Sequence, residues 1–176
     1  MKTVVVVGNP KPNSRTRQAG TLLAALLSSA DPEVLEVSDL GPGLLGWGDP
    51  GVQAAVDTVA GADLVVFASP TFKATYSGLL KLFLDQFATT EGLRGVTAVP
   101  LMLGAGPTHA LAPDLLLKPV LVELGATTPA PGLYLPDTSY ATDGSAQAYA
   151  QRWKPVIAAT VAAASISRAD RSARTR

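Results

Sequence analysis

The chain opens on an unbroken β-branched run, Val4 to Val7, closed by Gly8. Such a run suits a strand covered on both faces better than an alternating, half-exposed one. From residue 14 to 29 the apolar side chains recur at three- and four-residue spacing through Ala19, Leu22, Leu23, Leu26 and Leu27. This predicts a helix with Asn13 or Ser14 as its cap. Val34 to Val37 reads as a short second strand. Gly41 to Pro50 is too rich in Gly and Pro for regular structure, and with Leu44, Leu45 and Trp47 to bury it predicts a packed surface loop. A short helix over 51–60, a second buried strand from Leu64 to Ala68 and an amphipathic helix from Ser77 to Phe87 repeat the unit. A strand from Val96 to Leu103, a helix over 109–124, a strand from Thr127 to Leu135 interrupted by prolines, and an Ala-rich helix over 144–164 follow. Five strands thus alternate with five helices. The common solution to that pattern is an α/β fold, a twisted parallel sheet sandwiched between helices through right-handed crossovers.

The chain's 176 residues fall within the roughly 100–200 expected of one domain. Hydrophobic residues make up 47% and charged ones 16%, a balance that buries a real core and excludes a disordered chain. Lys+Arg and Asp+Glu are equal at 14 each, so no whole-domain field exists to attract nucleic acid or an acidic membrane, and neither is expected as a partner. The absence of cysteine excludes disulfides, thiolate metal sites and a Cys nucleophile, and the lone histidine, His109, excludes a multi-histidine zinc site. Chemistry is therefore expected from a cofactor. The first strand begins at once, with no signal-peptide pattern before it, and no apolar stretch reaches the roughly 18 residues a spanning helix needs. The expected location is the cytoplasm. Arg168, Arg171, Arg174 and Arg176 against Asp170 make the end of the chain basic. The expectation is one domain over residues 1–166 and a flexible, solvated tail over 167–176, with a phosphate- or partner-binding arm as the other reading.

In an open parallel sheet, ligands bind outside the carboxyl ends of the strands where the strand order reverses. Three loops matter most. The first, Gly8 to Thr16, precedes a helix N-terminus and adds Ser14 and Thr16 hydroxyls to Lys11 and Arg15 charges, a setting for a terminal phosphate. It matches neither G-x-G-x-x-G nor G-x-x-x-x-G-K-[ST], which disfavours dinucleotide and triphosphate cradles and favours a monophosphate. An ordinary capped helix with solvated charges remains open. The second loop, Ser69 to Gly78, carries Phe72 and Tyr76, between which a flat aromatic ligand could lie, although both could equally be core or interface aromatics. The third, Gly104-Ala105-Gly106-Pro107-Thr108-His109, brings backbone N–H groups that could stabilise negative charge on a reduced ring. His109 reads as a cap or ligand-positioning group rather than an acid or base. No G-x-S-x-G nucleophile elbow occurs, and Asp63, Asp85 and Asp114 are isolated, so no catalytic side chain is expected.

The run Ser69-Pro70-Thr71-Phe72-Lys73-Ala74-Thr75-Tyr76-Ser77-Gly78-Leu79-Leu80-Lys81 resembles P-x-[YF]-[KN]-x-x-[YI]-[ST]-G-x-[LF]-K of the NADPH-dependent FMN reductases. His109-Ala110 through Leu117-Lys118-Pro119-Val120-Leu121 resembles the same family, as does Gly8 to Thr16, whose counterpart there is G-S-x-R-x-x-S-x-[ST]. The resemblance runs from Val4 to about Leu135 and is close to the reductase components that feed reduced flavin to alkanesulfonate-type monooxygenases. It implies a flavodoxin-like three-layer sandwich with a five-stranded parallel sheet of order 2-1-3-4-5 and helices on both faces. It also implies an NAD(P)H-dependent flavin reductase that passes hydride from NADPH or NADH to FMN and supplies reduced FMN to a partner monooxygenase. Lys11, Ser14, Arg15 and Thr16 would bind at the FMN phosphate end. Pro70, Thr71, Phe72, Lys73, Tyr76 and Ser77 would line the isoalloxazine, and Gly104, Ala105, Gly106, Thr108 and His109 would face its pyrimidine edge.

Three departures stand out. Asn9 replaces the usual Ser, Lys11 stands where Arg is common, and Leu115 occupies the place near which some sulfonate-linked members carry an inserted aromatic. A lysine grips phosphate as a point charge where an arginine forms a two-pronged fork. For the 2′-phosphate of NADPH, Lys11, Arg15, Lys73 and Arg94 are candidates. A homodimer or homotetramer is expected through the helix after Tyr76 and the apolar loop Gly41 to Pro50. The alternatives are a flavin-bound quinone or azo reductase, a flavodoxin-type electron carrier, and a scaffold that has lost its ligand. The carriers are usually strongly acidic, unlike this chain, and the third sits poorly with three retained polar loops.

Overall fold

The computed structural model describes residues 1–174, with side chains described through 167. Its sheet has the strand order β2-β1-β3-β4-β5, with every neighbouring pair parallel. The strands are β1 (Thr3–Val7), β2 (Glu33–Glu36), β3 (Leu64–Pro70), β4 (Thr97–Gly104) and β5 (Leu133–Pro136). The helices are α1 (Arg15–Leu27), α2 (Pro50–Ala60), α3 (Gly78–Leu84), α4 (Lys118–Glu123) and α5 (Ser145–Arg174). α5 continues to Arg174, past the predicted end at 164, and of the residues 167–176 read as a flexible tail, 175 and 176 and the side chains from 168 on lie outside the described residues.

Alternation along each strand sends side chains to two separate cores. Val4, Val6, Val65 and Phe67 pack with residues of α2, α3 and α4, while Val5, Val7, Val66 and Ala68 pack with α1 and α5. Both faces are therefore covered, which is why β1 reads as a continuous apolar run. Pro100 in β4 looks misplaced, because a central strand needs its N–H groups. Ala98 N donates to Thr127 O, so two residues on Pro100 faces the same side, where strand pairing resumes only at Leu101↔Leu133. The proline lies opposite that gap in the fifth strand, whose predicted interruption is real: Thr127 makes an isolated bridge to Thr97.

Two regions differ from expectation. Val37–Leu45 is a 3-10 helix kinked at Gly41, not an irregular loop, and it buries Leu44 but leaves Leu45 and Trp47 at 78% and 77% exposure. With three residues per turn only one side of such a short helix meets the core. The helix predicted over 109–124 is three pieces: a 3-10 turn at Pro107–His109, a π-helical turn at Pro113–Leu117, and α4. Pro107 and Pro113 begin the first two pieces and Pro119 is the second residue of α4, because proline lacks the N–H that would continue a preceding turn. In the π turn Lys118 N bonds to Pro113 O, and Leu115 points outward at 65% exposure.

Candidate functional site

The strand order reverses between β1 and β3, so the loops leaving their carboxyl ends diverge and open a crevice. A cleft of about 420 Å³ occupies this place. It gathers Lys11, Ser14, Arg15 and Thr16 from the first loop, Pro70, Thr71 and Phe72 from the second, and Gly104 and Ala105 from the third. An adjoining cleft of about 360 Å³ is lined by Lys73, Gly106, Thr108 and His109 and shares Thr71, Gly104 and Ala105 as a common wall. Tyr76 and Ser77 are not among the residues lining either cleft. Tyr76 is half-buried against the core, and burial raises its phenol above the usual range. Arg94 is not near the clefts, since it precedes β4 at the amino end of the sheet and its guanidinium pairs with Glu91.

The first loop is shaped by its own polar groups. Asn9 Nδ2 donates to Thr16 Oγ1 at 2.9 Å, and Asn9 Oδ1 accepts from Lys11 N at 2.9 Å, so the asparagine folds the loop back toward the helix it precedes. Ser14 caps α1 by accepting from Arg17 N. Asn13 takes a positive φ of 52°, and its N–H donates to Glu36 Oε1 at 3.0 Å, which Arg17 also approaches at 3.2 Å. The first turn of α1, with its excess of unpaired N–H groups, consequently opens onto the cleft.

Ser69 and Ser77 brace the second loop from below. Ser77 N donates to Ser69 Oγ at 2.9 Å, Ser77 Oγ accepts from Leu80 N at 3.0 Å and donates to Gly8 O, and both serines are buried. One hydroxyl thus starts α3 and ties it to the first loop. Gly8 tolerates no side chain here, because a Cβ would lie 2.5 Å from Leu80 Cβ. Above this base the chain makes a two-residue hairpin. Phe72 N donates to Thr75 O at 2.8 Å, and Lys73 and Ala74 both have positive φ, 52° and 71°. Phe72 stands 48% exposed beside the cleft.

The third loop is held from both sides. Thr71 N donates to Leu103 O at 2.7 Å, Asp137 N donates to Gly104 O at 3.0 Å, and Tyr134 Oη donates to Gly106 O at 2.7 Å. Tyr134 lies so close over Gly104 that a Cβ there would come within 2.0 Å of the phenol oxygen, so glycine is obligatory. Sequence reasoning passed over Asn13, Gln18, Tyr134 and Asp137, all of which line these clefts. Asp137 was within reach of the same rule that found the other loops, since it follows the carboxyl end of β5.

The residues suit a phosphorylated planar ligand. Lys11 and Arg15 bring positive charge to the end formed by the first loop, and Thr71 Oγ1, on the wall between the clefts, is buried without a partner in the chain. A buried hydroxyl left unpaired costs about 1–3 kcal/mol, a deficit that a ligand's polar edge would remove. Among the described residues no group of His, Cys, Asp and Glu could hold a metal ion.

A parallel sheet of order 2-1-3-4-5 with a ligand-sized cleft at its switch point defines a flavodoxin-like protein. Comparison with known proteins is more specific. The family model described as NADPH-dependent FMN reductase matches residues 1–140, and the chain belongs to that family of oxidoreductases, which use NADPH or NADH with FMN. An FMN reductase (NADPH) of Escherichia coli is 30% identical over 143 residues, covering 78% of this chain and 74% of that one. The NADH-dependent FMN reductase SfnF of Pseudomonas putida is 32% identical, covering 76% of each. Among solved structures, the apo form of an NADH:FMN oxidoreductase (EMOB) superposes with a TM-score of 0.78 at 29% identity, over 92% of this chain and 89% of that one.

Proposed function

We propose that the two joined clefts bind FMN, with the phosphate at the first loop and the ring between the second and third, and that the chain passes the reduced flavin on to a monooxygenase. The observation that carries this reading is the buried, unpartnered Thr71 hydroxyl on the wall the two clefts share. Lys11, Ser14, Arg15 and Thr16 hold the phosphate. Phe72 supplies a flat apolar contact, and Pro70 fixes the backbone direction beneath it. Gly104, Ala105 and Gly106 present the polar edge of their backbone to the pyrimidine end, with Thr108 and His109 at its margin. Ser77 and Tyr76 support the cleft rather than line it. FMN, when bound, would supply the redox chemistry as an acceptor of hydride from the nicotinamide. The protein's share is orientation, exclusion of alternative geometries and electrostatic support from fixed dipoles, none of which calls for a side-chain acid or base. Lys73, 48% exposed Phe72 and His109 border the open side from which a nicotinamide would approach, and Lys11, Arg15 and Lys73 remain the cations near enough to meet a 2′-phosphate.

The coupling to a monooxygenase rests on the sequence resemblance to reductase components, and SfnF, an NADH-dependent FMN reductase, is similar to this chain along three quarters of its length. A cytoplasmic site of action agrees with the described helices, none of which is long and apolar enough to cross a membrane. Self-association uses the exposed Leu45 and Trp47 beside α3, where Gln86 Nε2 donates to Gly46 O at 3.2 Å and Leu82 is also exposed. Sedimentation analysis reads its stoichiometry.

Aerobic oxidation of NADPH and NADH, with and without added FMN, tests the reading. The expected result is turnover that depends on FMN and saturates with it. Retained flavin without nicotinamide oxidation would mark an electron carrier, turnover seen only with a quinone or azo acceptor would mark the other reductase class, and no flavin binding would mark an empty scaffold.

A further inference from the structure

Asp137 is the one acid among the described residues that line the larger cleft, and it stands at the same end as Lys11 and Arg15. Its position is built in. The residue follows β5 directly, and its N–H is bonded to Gly104 O at 3.0 Å, so the carboxylate is held at the rim. Asp137 Oδ2 lies 3.3 Å from the Arg15 guanidinium, whose same nitrogen is 3.4 Å from the Asp137 carbonyl oxygen. Arg15 is 61% and Asp137 34% exposed, so this pair adds little to the stability of the fold. An acid beside an anion site is a liability for binding, and the fold does not require it.

Resting on the reading of this end as the FMN phosphate site, we propose that Asp137 sets the flavin affinity: its carboxylate competes with the phosphate for Arg15 and repels it, so that FMN exchanges rather than staying bound. The phosphate carries about −1.5 to −2 charges at neutral pH and the carboxylate one, and both are drawn to a guanidinium that can face only one of them squarely. Among the described residues Lys11 enters no ion pair, so it offers the phosphate a plain point charge with no carboxylate in competition. Binding therefore includes the breaking of an ion pair and the approach of two like charges. Riboflavin has the same ring and no phosphate, so it escapes both penalties.

Equilibrium titration of FMN and of riboflavin, read by flavin fluorescence, into the wild type, Asp137→Asn, Arg15→Gln and the double variant tests this. Asp137→Asn keeps the side chain's shape and the backbone bond, and Asp137→Ser serves as a second neutral variant should the amide perturb folding. The expected result is FMN binding tightened on the order of tenfold in either neutral variant, a gain that shrinks at high salt, with riboflavin binding unchanged. The KM for FMN falls in parallel. Arg15→Gln weakens FMN binding, and adding Asp137→Asn recovers part of the loss because repulsion remains even without the ion pair. FMN binding unchanged or weakened in both neutral variants, or riboflavin tightened equally, overturns the proposal. A wild type that binds neither flavin overturns the functional reading itself and this inference with it, a failure plainly distinct from the first.

Discussion

Ser77 shows how much of the site depends on single atoms. Its hydroxyl is buried, donates to Gly8 O and accepts from Leu80 N, so one oxygen fastens the first loop to the start of α3. Ser77→Ala leaves a buried carbonyl and a helix-end N–H without partners, at a cost of about 1–3 kcal/mol. Chemical denaturation is expected to show that loss. FMN affinity is expected to fall as well, because the first loop loses its anchor, and Ser77→Thr, which keeps the hydroxyl, is expected to restore most of both. Gly104 is constrained from the opposite direction, since its missing side chain is the space that Tyr134 fills.

At the scale of elements, the hairpin at Phe72–Thr75 carries local strain. Two-residue hairpins with positive φ at both central positions favour Asn-Gly or Gly-Gly, yet Lys73 and Ala74 occupy them here. Residues with a Cβ are uncommon in that region of backbone space, and such departures gather at ligand sites. Ala74→Gly is expected to raise stability by roughly 0.5–1 kcal/mol, seen as a higher melting temperature. The same substitution frees the hairpin that carries Phe72, and a rise in the KM for FMN without a change in fold is the expected companion. The fourth helical region is a second such case: three prolines divide one apolar periodicity into a 3-10 turn, a π turn and a short α-helix, and Asp114 at the π turn is engaged by Gly132 N at 2.9 Å.

Across the whole molecule, stability depends on pH through a group far from the cleft. Tyr149 of α5 is buried, and its hydroxyl donates to Pro131 O at 2.7 Å, linking the last helix to the approach of β5. Burial first, and the negative charge of Asp114 second, push its phenol well above the ordinary value. The folded chain therefore keeps the phenol neutral where the unfolded chain ionises it, at about pH 10. Its contribution is present in full below that pH and is lost as the pH rises above it. Tyr149→Phe is expected to cost about 1 kcal/mol at neutral pH and to flatten the alkaline fall in stability, as read from denaturation midpoints at successive pH values.

The layered fold was legible in the sequence because each strand and helix announces its period through which side chains it must bury. Val4 to Val7 could only be an inner strand, and Ala19 to Leu27 only a helix lying on it. That Lys11, Ser14, Arg15 and Thr16 line the cleft was legible for a related reason: the loop leaving an inner strand at the switch point faces the crevice there. What only the tertiary structure decided were relations between residues distant in sequence. Asp137 meets Arg15 across 122 positions, Tyr134 closes over Gly104, and Arg94 falls at the wrong end of the sheet, while Leu45 and Trp47 stay outside a core they seemed suited to enter. Periodicity records which face of an element is buried. It does not record which other element lies against that face, and the charges and contacts of the cleft are made by that second choice.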